Sequence, residues 1–327
     1  MTGVIAVAGP TATGKTALAI ALAERLNTEI ISADSQQFYR GMEIGTAAPT
    51  PEERARVPHH FVCFLDPSEQ MAAGDYQRAA RAVVAQLNAA GKPAVVVGGS
   101  GLYIHALIDG LFEGPPRDPE IRARLEAQAD RHGNAHLFAR LQAVDPTYAR
   151  TLTSANDRVR VVRALEVHEL TGTPLSQLHR EHRSKTRAIP NVQVALNTPR
   201  DWLYTRINRR VDAQIAAGWI EETRALLDMG HGEHLQRLKS HGYRELAHHL
   251  ETGAPLDETC AEIKRNVRHY AKRQLSWFRA DKRIHWLDAG PGVPRDEHVA
   301  AVLRLIEQGE GTPDPDPPPH VSPPDLR

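Results

Sequence analysis

Long apolar runs, paired cysteines and a secretory start are all missing from this sequence. No segment of the 327 residues is long and apolar enough to span a membrane. The chain leads almost directly into an apolar run, Val4–Ala8, so we expect no signal peptide. Its two cysteines, Cys63 and Cys260, are isolated and lack the spacing of a zinc site. These absences predict a cytoplasmic protein without a membrane partner, with both cysteines buried in its core.

A net charge is also missing, because 40 Lys and Arg offset 40 Asp and Glu. The balance is uneven along the chain. Residues 117–283 carry 29 Lys and Arg against 21 Asp and Glu, whereas both flanking segments are acidic. A basic middle segment indicates a polyanionic partner. Solvated helix faces would produce the same excess, so the charge alone does not identify that partner.

Short apolar runs alternate with helical patterns through the first third of the chain. This alternation predicts an α/β fold, with a parallel sheet covered by helices on both faces. The predicted strands are Val4–Ala8, Glu29–Ala33, Phe61–Leu65, Ala94–Val97, Val192–Leu196 and Ile284–Leu287. Helical patterns cover Lys15–Leu26, Asp75–Ala89, Pro119 to about Arg183, Asp201–Gly230 and Leu256–Arg279.

A turn-rich hinge, Gly110–Pro119, interrupts the alternation, and a mainly helical stretch follows it. We therefore expect residues 1–116 to form the first part of the core and residues 117–190 to form a helical insertion. Residues 191–290 are predicted to complete the core and to add basic C-terminal helices. The tail, residues 308–327, is rich in Pro and Asp, a composition typical of disorder.

The first predicted strand runs into a complete phosphate-binding motif, G-x-x-x-x-G-K-[ST]. Its residues are Gly9, Pro10, Thr11, Ala12, Thr13, Gly14, Lys15 and Thr16. The glycines let the backbone wrap around phosphate with successive N–H groups pointing inward, and the following helix adds a favourable dipole. Lys15 supplies a positive charge, and the Thr16 hydroxyl can coordinate Mg²⁺. The motif in this setting predicts a P-loop NTPase-like core that binds a di- or triphosphate.

The ends of two other predicted strands carry groups that would share a site with this loop. The strand Ala94–Val97 ends in Gly98-Gly99-Ser100, where an ATPase commonly has an Asp that holds Mg²⁺. We expect the glycines to open space there for a bulky group. The strand Glu29–Ala33 ends in Asp34. Because ligands bind beyond the carboxyl ends of parallel strands, Asp34 and Ser100 are predicted beside the loop.

These motifs together resemble the tRNA dimethylallyltransferases, and the likeness extends from Gly9 to about Leu287. Besides the P-loop, its pieces are Asp34–Tyr39, Gly41–Ala47, Val97–Tyr103, Asn156-Asp157, Arg160, Arg163–Glu166, Arg206–Asp212, Gly242-Tyr243, Ala271–Gln274 and Trp277-Phe278. The departures from the family pattern are Ser100 for Thr, Glu43 for Asp, Ala48 for Lys and Gln214 for Met. None of them removes a group assigned to the chemistry, although Ala48 weakens any charge contact at its position.

The resemblance implies transfer of a dimethylallyl group from dimethylallyl diphosphate to the N6 amine of adenosine 37, beside the tRNA anticodon. Diphosphate is released and ATP is not required. The amine becomes acidic as its nitrogen attacks carbon, so a carboxylate within reach can take the proton. The resemblance assigns this role to Asp34, with Ser100 and Arg210 as further catalytic groups. It also implies Mg²⁺ as cofactor, with Thr16 as its ligand, and the chain looks self-sufficient as a monomer.

Basic residues would hold the phosphates of the anticodon stem-loop, and the target base would leave its stack to reach the carboxylate. The residues that the resemblance places at tRNA are Asp34, Ser35, Gln36, Gln37, Ser100, Arg122, Val159, Arg160, Val161, Val162, Arg163, Lys239, Gly242, Tyr243, Arg244, Lys272 and Arg273.

Several alternatives stay open from the residues alone. A small-molecule kinase would share the loop and the α/β core, and an isopentenyltransferase acting on free nucleotide would share the prenyl chemistry. A nucleotide-gated RNA-binding protein would need no catalysis. For single residues, Asp34 is as readily a turn residue and Phe38 a core residue, and Arg210 would otherwise be an exposed helix residue.

Overall fold

The computed structural model describes residues 3–112, 114–152, 154–185, 188–238 and 240–309, and for residues 183–185 the backbone alone. Most of the predicted disordered tail therefore lies outside the described residues. The chain divides into two compact units. The first takes the residues up to Ile108 and from Ile189 onward, and the second comprises Asp109–Ala188.

The first unit is built on one six-stranded sheet in which every pair of neighbours is parallel. Its strands are β1 Val4–Ala8, β2 Ile30–Ser32, β3 His59–His60, β4 Ala94–Val97, β5 Asn191–Asn197 and β6 Ile284–Asp288. The order across the sheet is β3-β2-β4-β1-β5-β6, with β1 in register with β4 and β5. The predicted α/β class with a parallel sheet is confirmed.

Helices cover both faces of this sheet. Those of the first unit are α1 Lys15–Leu26, α2 Glu43–Thr46, α3 Pro51–Arg56, α4 Ala73–Ala89, α5 Gly101–Asp109, α11 Arg200–Ala216, α12 Trp219–Asp228, α13 Gly232–Leu238, α14 Tyr243–Thr252, α15 Leu256–Ala280 and α16 Arg295–Glu307. Alternate β1 residues belong to two separate apolar clusters: Val4 and Ala6 pack with α4, and Ile5 and Val7 pack with α1. Both faces of the strands are buried, which explains their continuous apolar sequences.

The predicted strand Phe61–Leu65 is wrong, because β3 ends at His60. Phe61 and Cys63 have positive φ angles of 60° and 50°, which no extended strand allows. Only an isolated bridge, between Leu65 and Tyr39, remains there. The expectation of core burial for the cysteines also fails, since Cys63 and Cys260 are both half-buried.

Two helix predictions need correction as well. The single helix expected over Asp201–Gly230 is two helices, α11 and α12, which meet at Gly218 with a φ of 102°. Sequence reasoning also missed α16. Its signals were Asp296 and Glu297 in the first turn, directly after Pro294.

Helices are the only regular secondary structure among the described residues of the second unit. Its helices are α6 Pro119–His132, α7 Asn134–Val144, α8 Pro146–Ala149, α9 Arg158–Thr171 and α10 Leu175–Lys185. They enclose a core of their own, which includes Leu125, Leu141 and Leu165. A fully buried carboxylate, Glu166, is neutralised within the unit by Arg122 and Arg163.

A close approach of two helices fixes the start of α14. Gly242, its N-cap, has a φ of 100° and lies directly against the indole ring of buried Trp219. A Cβ at this position would overlap the ring. The next residue, Tyr243, packs edge-to-face against the same ring and is also fully buried.

We expect Gly242→Ala to lower the free energy of unfolding by about 2–4 kcal/mol, because it adds a clash to an unfavourable φ. Urea unfolding followed by circular dichroism measures this loss. Gly253→Ala is the matched control at the other end of α14, where φ is 73° and nothing lies within 4 Å of an added Cβ. It should cost only about 1 kcal/mol. Equal losses in the two variants would contradict the packing argument.

Candidate functional site

The carboxyl ends of β1, β2 and β4 meet at one edge of the sheet. The P-loop follows β1, and Asp34 lies two residues beyond β2. The backbone ties the other ends together: Ala33 N–H donates to Val97 O at 2.7 Å, and Ser100 N–H donates to Ala33 O at 3.1 Å. These bonds bring Asp34 and Ser100 to the same edge as the loop.

The P-loop has the conformation of an anion cradle. Positive φ angles at Gly9, Ala12 and Gly14, of 123°, 63° and 101°, curl its backbone. Helix α1 then begins at Lys15 without a side-chain cap and without an acidic residue in its first turn. Its first N–H groups and its dipole therefore favour an anion at this point. Lys15 Nζ donates to Pro10 O at 2.6 Å.

A cavity of about 260 Å³ opens at this edge. Its lining residues are Thr11, Ala12, Gly14, Lys15, Thr16, Ala17, Ser32, Asp34, Gln37, Thr46, Ala47, Pro49, Glu53, His59, Val97, Gly98, Arg206 and Arg210. Most of the P-loop, the predicted base Asp34 and the predicted clamp residue Arg210 thus line one space. Ser100 is not among the lining residues and is buried, and its hydroxyl accepts from Ser35 N–H at 3.1 Å.

Three charged groups of the cavity, Lys15, Asp34 and Arg210, are desolvated. Burial lowers the pKa of Lys15 to about 8, against the attraction of Asp34. Burial raises the pKa of Asp34, whereas the N–H of Gln36 and the charges of Lys15 and Arg210 lower it. Arg210 donates to Thr11 Oγ1 at 3.2 Å and is half-buried, so it is not a solvated helix residue. The cavity brings the carboxylate of Asp34 together with the cations of Lys15 and Arg210, and its lining also includes Arg206 and Glu53.

Asp34 also has the turn contacts that sequence reasoning left as an alternative. Its Oδ1 accepts from Gln36 N–H at 3.1 Å, and its carbonyl accepts from Gln37 N–H at 3.1 Å. Gln37 donates through Nε2 to Ala47 O at 3.1 Å and lines the cavity. Phe38 is fully buried among aromatic rings, which decides between its two interpretations in favour of the core.

The two glycines after β4 do not open space for a ligand, contrary to expectation. A Cβ on Gly98 would overlap the backbone of Ala33, and a Cβ on Gly99 would overlap the side chain of Gln274. Gln274 is a residue of the site whose role sequence reasoning missed. It is buried on α15 and also accepts from Thr11 N–H, so this loop amide does not face the cavity.

Among the residues of the first unit that are predicted to contact tRNA, those on α14 and α15 and before them differ in exposure. Arg244 and Lys272 are exposed. Arg273 donates to His241 Nε2 at 3.2 Å, and its guanidinium lies over the ring of Tyr270. Gly242 and Tyr243 are buried, and Lys239 lies outside the described residues. Side-chain contact with RNA is therefore open to the first three of these predicted residues and not to the buried pair.

The predicted contacts in the second unit are mostly engaged within it. Arg122 and Arg163 pair with Glu166, at 3.2 and 2.7 Å, and Arg160 pairs with Asp157 at 2.9 Å. The side chains of Val161 and Val162 are almost completely buried in the unit's core, so neither reaches the surface. The side chain of Val159 is exposed.

Neither a ready-made metal cluster nor a membrane segment is found in the part of the chain that the structure describes. No group of three or more His, Cys, Asp or Glu there could hold a metal ion, and no helix there is long and apolar enough to cross a membrane. A cation beside Thr16 would take most of its ligands from the anion and from water. Mg²⁺ commonly binds in this way.

Comparisons with a family model and with known proteins give the same family over most of the chain. The model of the IPP transferase family matches residues 37–281. A tRNA dimethylallyltransferase of Syntrophobacter fumaroxidans is 47% identical over 311 residues, which make up 95% of this chain and 88% of the relative.

Two solved structures resemble this one along nearly its full length. The full-length tRNA isopentenylpyrophosphate transferase of Bacillus halodurans is 38% identical, with a TM-score of 0.69 over 95% of this chain and 97% of its own. A eukaryotic dimethylallyltransferase acting on tRNA is 25% identical, with a TM-score of 0.79 over 93% of this chain and 79% of its own.

The lowered pKa of Lys15 predicts a pH dependence for anion binding. Because Lys15 loses its charge above about pH 8 in the free protein, affinity for inorganic diphosphate should fall as the pH rises beyond that value. Calorimetric titration measures it, and Lys15→Arg is the control, since Arg stays charged throughout. Diphosphate itself ionises with pH, but equally in both titrations. The ratio of the native affinity to that of Lys15→Arg therefore reports on Lys15 alone. A ratio that does not change with pH would contradict the prediction.

Proposed function

The chain belongs to the IPP transferase family, among the tRNA dimethylallyltransferases, and from that premise we propose how its site moves a dimethylallyl group from dimethylallyl diphosphate to the N6 amine of adenosine 37 in tRNA. The observation that carries the proposal is the cavity at the carboxyl edge of the sheet. Two carboxylates line this space, which also holds P-loop residues, Lys15 and Arg210. Asp34 interacts with both of these cations, whereas Glu53 caps α3. A proton acceptor and a diphosphate cradle are the two parts that the reaction needs.

The reaction exchanges one bond for another. The N6 nitrogen forms a bond to C1 of the dimethylallyl group, while the bond from C1 to the diphosphate oxygen breaks. The pair of electrons of that bond leaves with diphosphate. The proton of the alkylated amine passes to Asp34, whose pKa is raised by burial, so that it accepts a proton more readily than an exposed carboxylate. Ser100, whose hydroxyl accepts from the N–H of Ser35, the residue after Asp34, would help to position the amine.

The charge that develops on the leaving diphosphate is stabilised by the loop. Lys15, the N–H groups at the start of α1 and the helix dipole act at one end of the cavity. Arg210, held against Thr11, completes the clamp. No phosphoryl group is transferred, so this site has no need of ATP.

Mg²⁺ is the cofactor that we propose beside the diphosphate. The Thr16 hydroxyl, which lines the cavity, would hold it. A cation held there would neutralise part of the charge on the oxygens of the leaving group. The small-molecule kinase and the free-nucleotide isopentenyltransferase receive no support from the relatives described above, which modify tRNA.

The tRNA surface that we propose includes the exposed stripe of α15, which points to solvent at successive helical turns. Its residues are Arg265, His269, Lys272, Ser276 and Arg279. Arginine, lysine and histidine on one face suit the phosphates of the anticodon stem-loop. The helical second unit and Arg244 would add contacts, and the target adenosine would leave its stack to reach Asp34. The protein is proposed to act as a monomer.

Replacement of the proposed base gives the sharpest test of catalysis. We expect Asp34→Asn to slow transfer by about two to four orders of magnitude, because it removes basicity and keeps the turn contact to Gln36. Single-turnover transfer from labelled dimethylallyl diphosphate to undermodified tRNA measures the rate. Binding of both substrates should stay close to that of the native protein.

The matched control is Asp66→Asn. Asp66 accepts from Ser68 N–H at 2.9 Å in the same kind of turn, but it is not among the residues that line the cavity. Its variant should transfer at the native rate. If Asp34→Asn also transferred within a few-fold of that rate, the role of Asp34 would be confined to the turn.

Loss of one charge from the exposed stripe tests the tRNA surface. We expect Lys272→Gln to weaken tRNA binding and to lower the slope of log affinity against log salt by about one, as the loss of one phosphate contact would. Filter binding over a series of salt concentrations measures the slope. Lys92→Gln is the control, because Lys92 precedes β4 at the opposite edge of the sheet. The same slope in both variants would remove Lys272 from the surface.

A further inference from the structure

We propose that Gln274 is a positioning residue of the transfer site: its side-chain amide holds the P-loop and the Gly99-Ser100 turn at the one spacing that binds diphosphate. The inference rests on the function proposed above and adds a residue that touches neither substrate. Gln274 lies on α15, 263 positions from the loop that it contacts. It therefore joins three elements that the chain does not connect locally.

Both ends of the amide are engaged. Gln274 Oε1 accepts from Thr11 N–H at 2.9 Å, and Nε2 donates to Gly99 O at 3.0 Å. The residue is only 4% exposed, so water does not compete for these bonds. A side chain that both donates and accepts at fixed sites is required, because one partner is an N–H and the other a carbonyl.

The backbone packs closely around the side-chain amide of Gln274. A Cβ on Gly99 would overlap Gln274 Nε2, so the turn approaches the amide closely only because it carries glycine. On the other side, Thr11 is held twice, since its hydroxyl accepts from Arg210 while its N–H donates to Gln274. The loop backbone at Thr11 is thereby fixed between the proposed clamp residue and α15.

The consequence concerns the shape of the cradle. Because the Thr11 amide is turned toward Gln274, binding of an anion is left to the remaining N–H groups of the loop. Without the amide of Gln274, the half-buried Thr11 N–H and the buried Gly99 carbonyl would lose their partners, and the loop would be free to turn the Thr11 amide elsewhere. Preorganisation for diphosphate would then be lost, while the exposed stripe of α15 would stay unchanged.

A first pair of variants separates positioning from general stability. Gln274→Met keeps the length of the side chain and removes both bonds, and we expect it to weaken binding of inorganic diphosphate with Mg²⁺ by roughly 10- to 100-fold. Binding of tRNA should change less than twofold. Gln193→Met is the matched control, because Gln193 is also 4% exposed but lies on β5 and bonds to Asn191. It should leave diphosphate binding unaltered.

A second pair tests the hydrogen-bond pattern itself. In Gln274→Glu, the ionised carboxylate can still accept from Thr11 N–H, but its second oxygen faces Gly99 O without a proton. Protonation restores a donor and an acceptor in place of the original amide. Burial raises the pKa of the introduced carboxyl, so binding of diphosphate relative to the native protein should recover as the pH falls. The affinity of Gln274→Met for diphosphate, relative to that of the native protein, should not change with pH. The same should hold for Gln193→Glu.

These outcomes distinguish failure of the inference from failure of the proposed function. If the native protein did not bind diphosphate with Mg²⁺, the proposed function itself would be wrong. If the native protein bound it and Gln274→Met bound it within twofold of the same affinity, Gln274 would have no positioning role. A loss in Gln274→Glu that showed no recovery at low pH would likewise overturn the proposal.

Discussion

The site depends on one close backbone approach, between the residues that follow β2 and those that follow β4. Gly98 lies so near Ala33 that no side chain fits between them, and Ser100 N–H bonds to Ala33 O. This approach places Ser100 against the residue after Asp34, because its hydroxyl accepts from Ser35 N–H. It also sets the wall of the cavity that faces the P-loop. Glycine is needed there for contact between strands and not for room around a ligand.

Burial of opposite charges in this cavity would prepare both halves of the proposed reaction. Desolvation lowers the pKa of Lys15 and raises that of Asp34, so each is pushed toward its neutral form and each is partly restored by the other. A bound diphosphate adds negative charge, which favours the charged lysine and strengthens the basicity of the carboxylate. As the C–O bond breaks, that negative charge grows. In the proposed reaction, Asp34 would thus become a better acceptor at the stage when the amine becomes acidic.

Local signals were sufficient for the parts of the site that a short segment builds alone. The P-loop, its preceding strand and α1 are such parts, and so is the position of Asp34 at the end of β2. The bond from Gln274 to Thr11 was not predictable, because it joins positions that only the tertiary fold brings together. The strand predicted over Phe61–Leu65 failed for the opposite reason: its composition suits a strand, but two left-handed residues prevent one.

The basic residues show why a charge count locates a partner only coarsely. Arg122 and Arg163 belong to the basic segment, yet both neutralise the buried carboxylate of Glu166. Replacing either one would leave that carboxylate poorly paired, so weaker RNA binding in such a variant would not identify a phosphate contact. The exposed Lys272 supports no buried group among the described contacts, and its charge is therefore available to a polyanion. Phosphate contacts are best sought where removing a charge leaves the protein's own pairs intact.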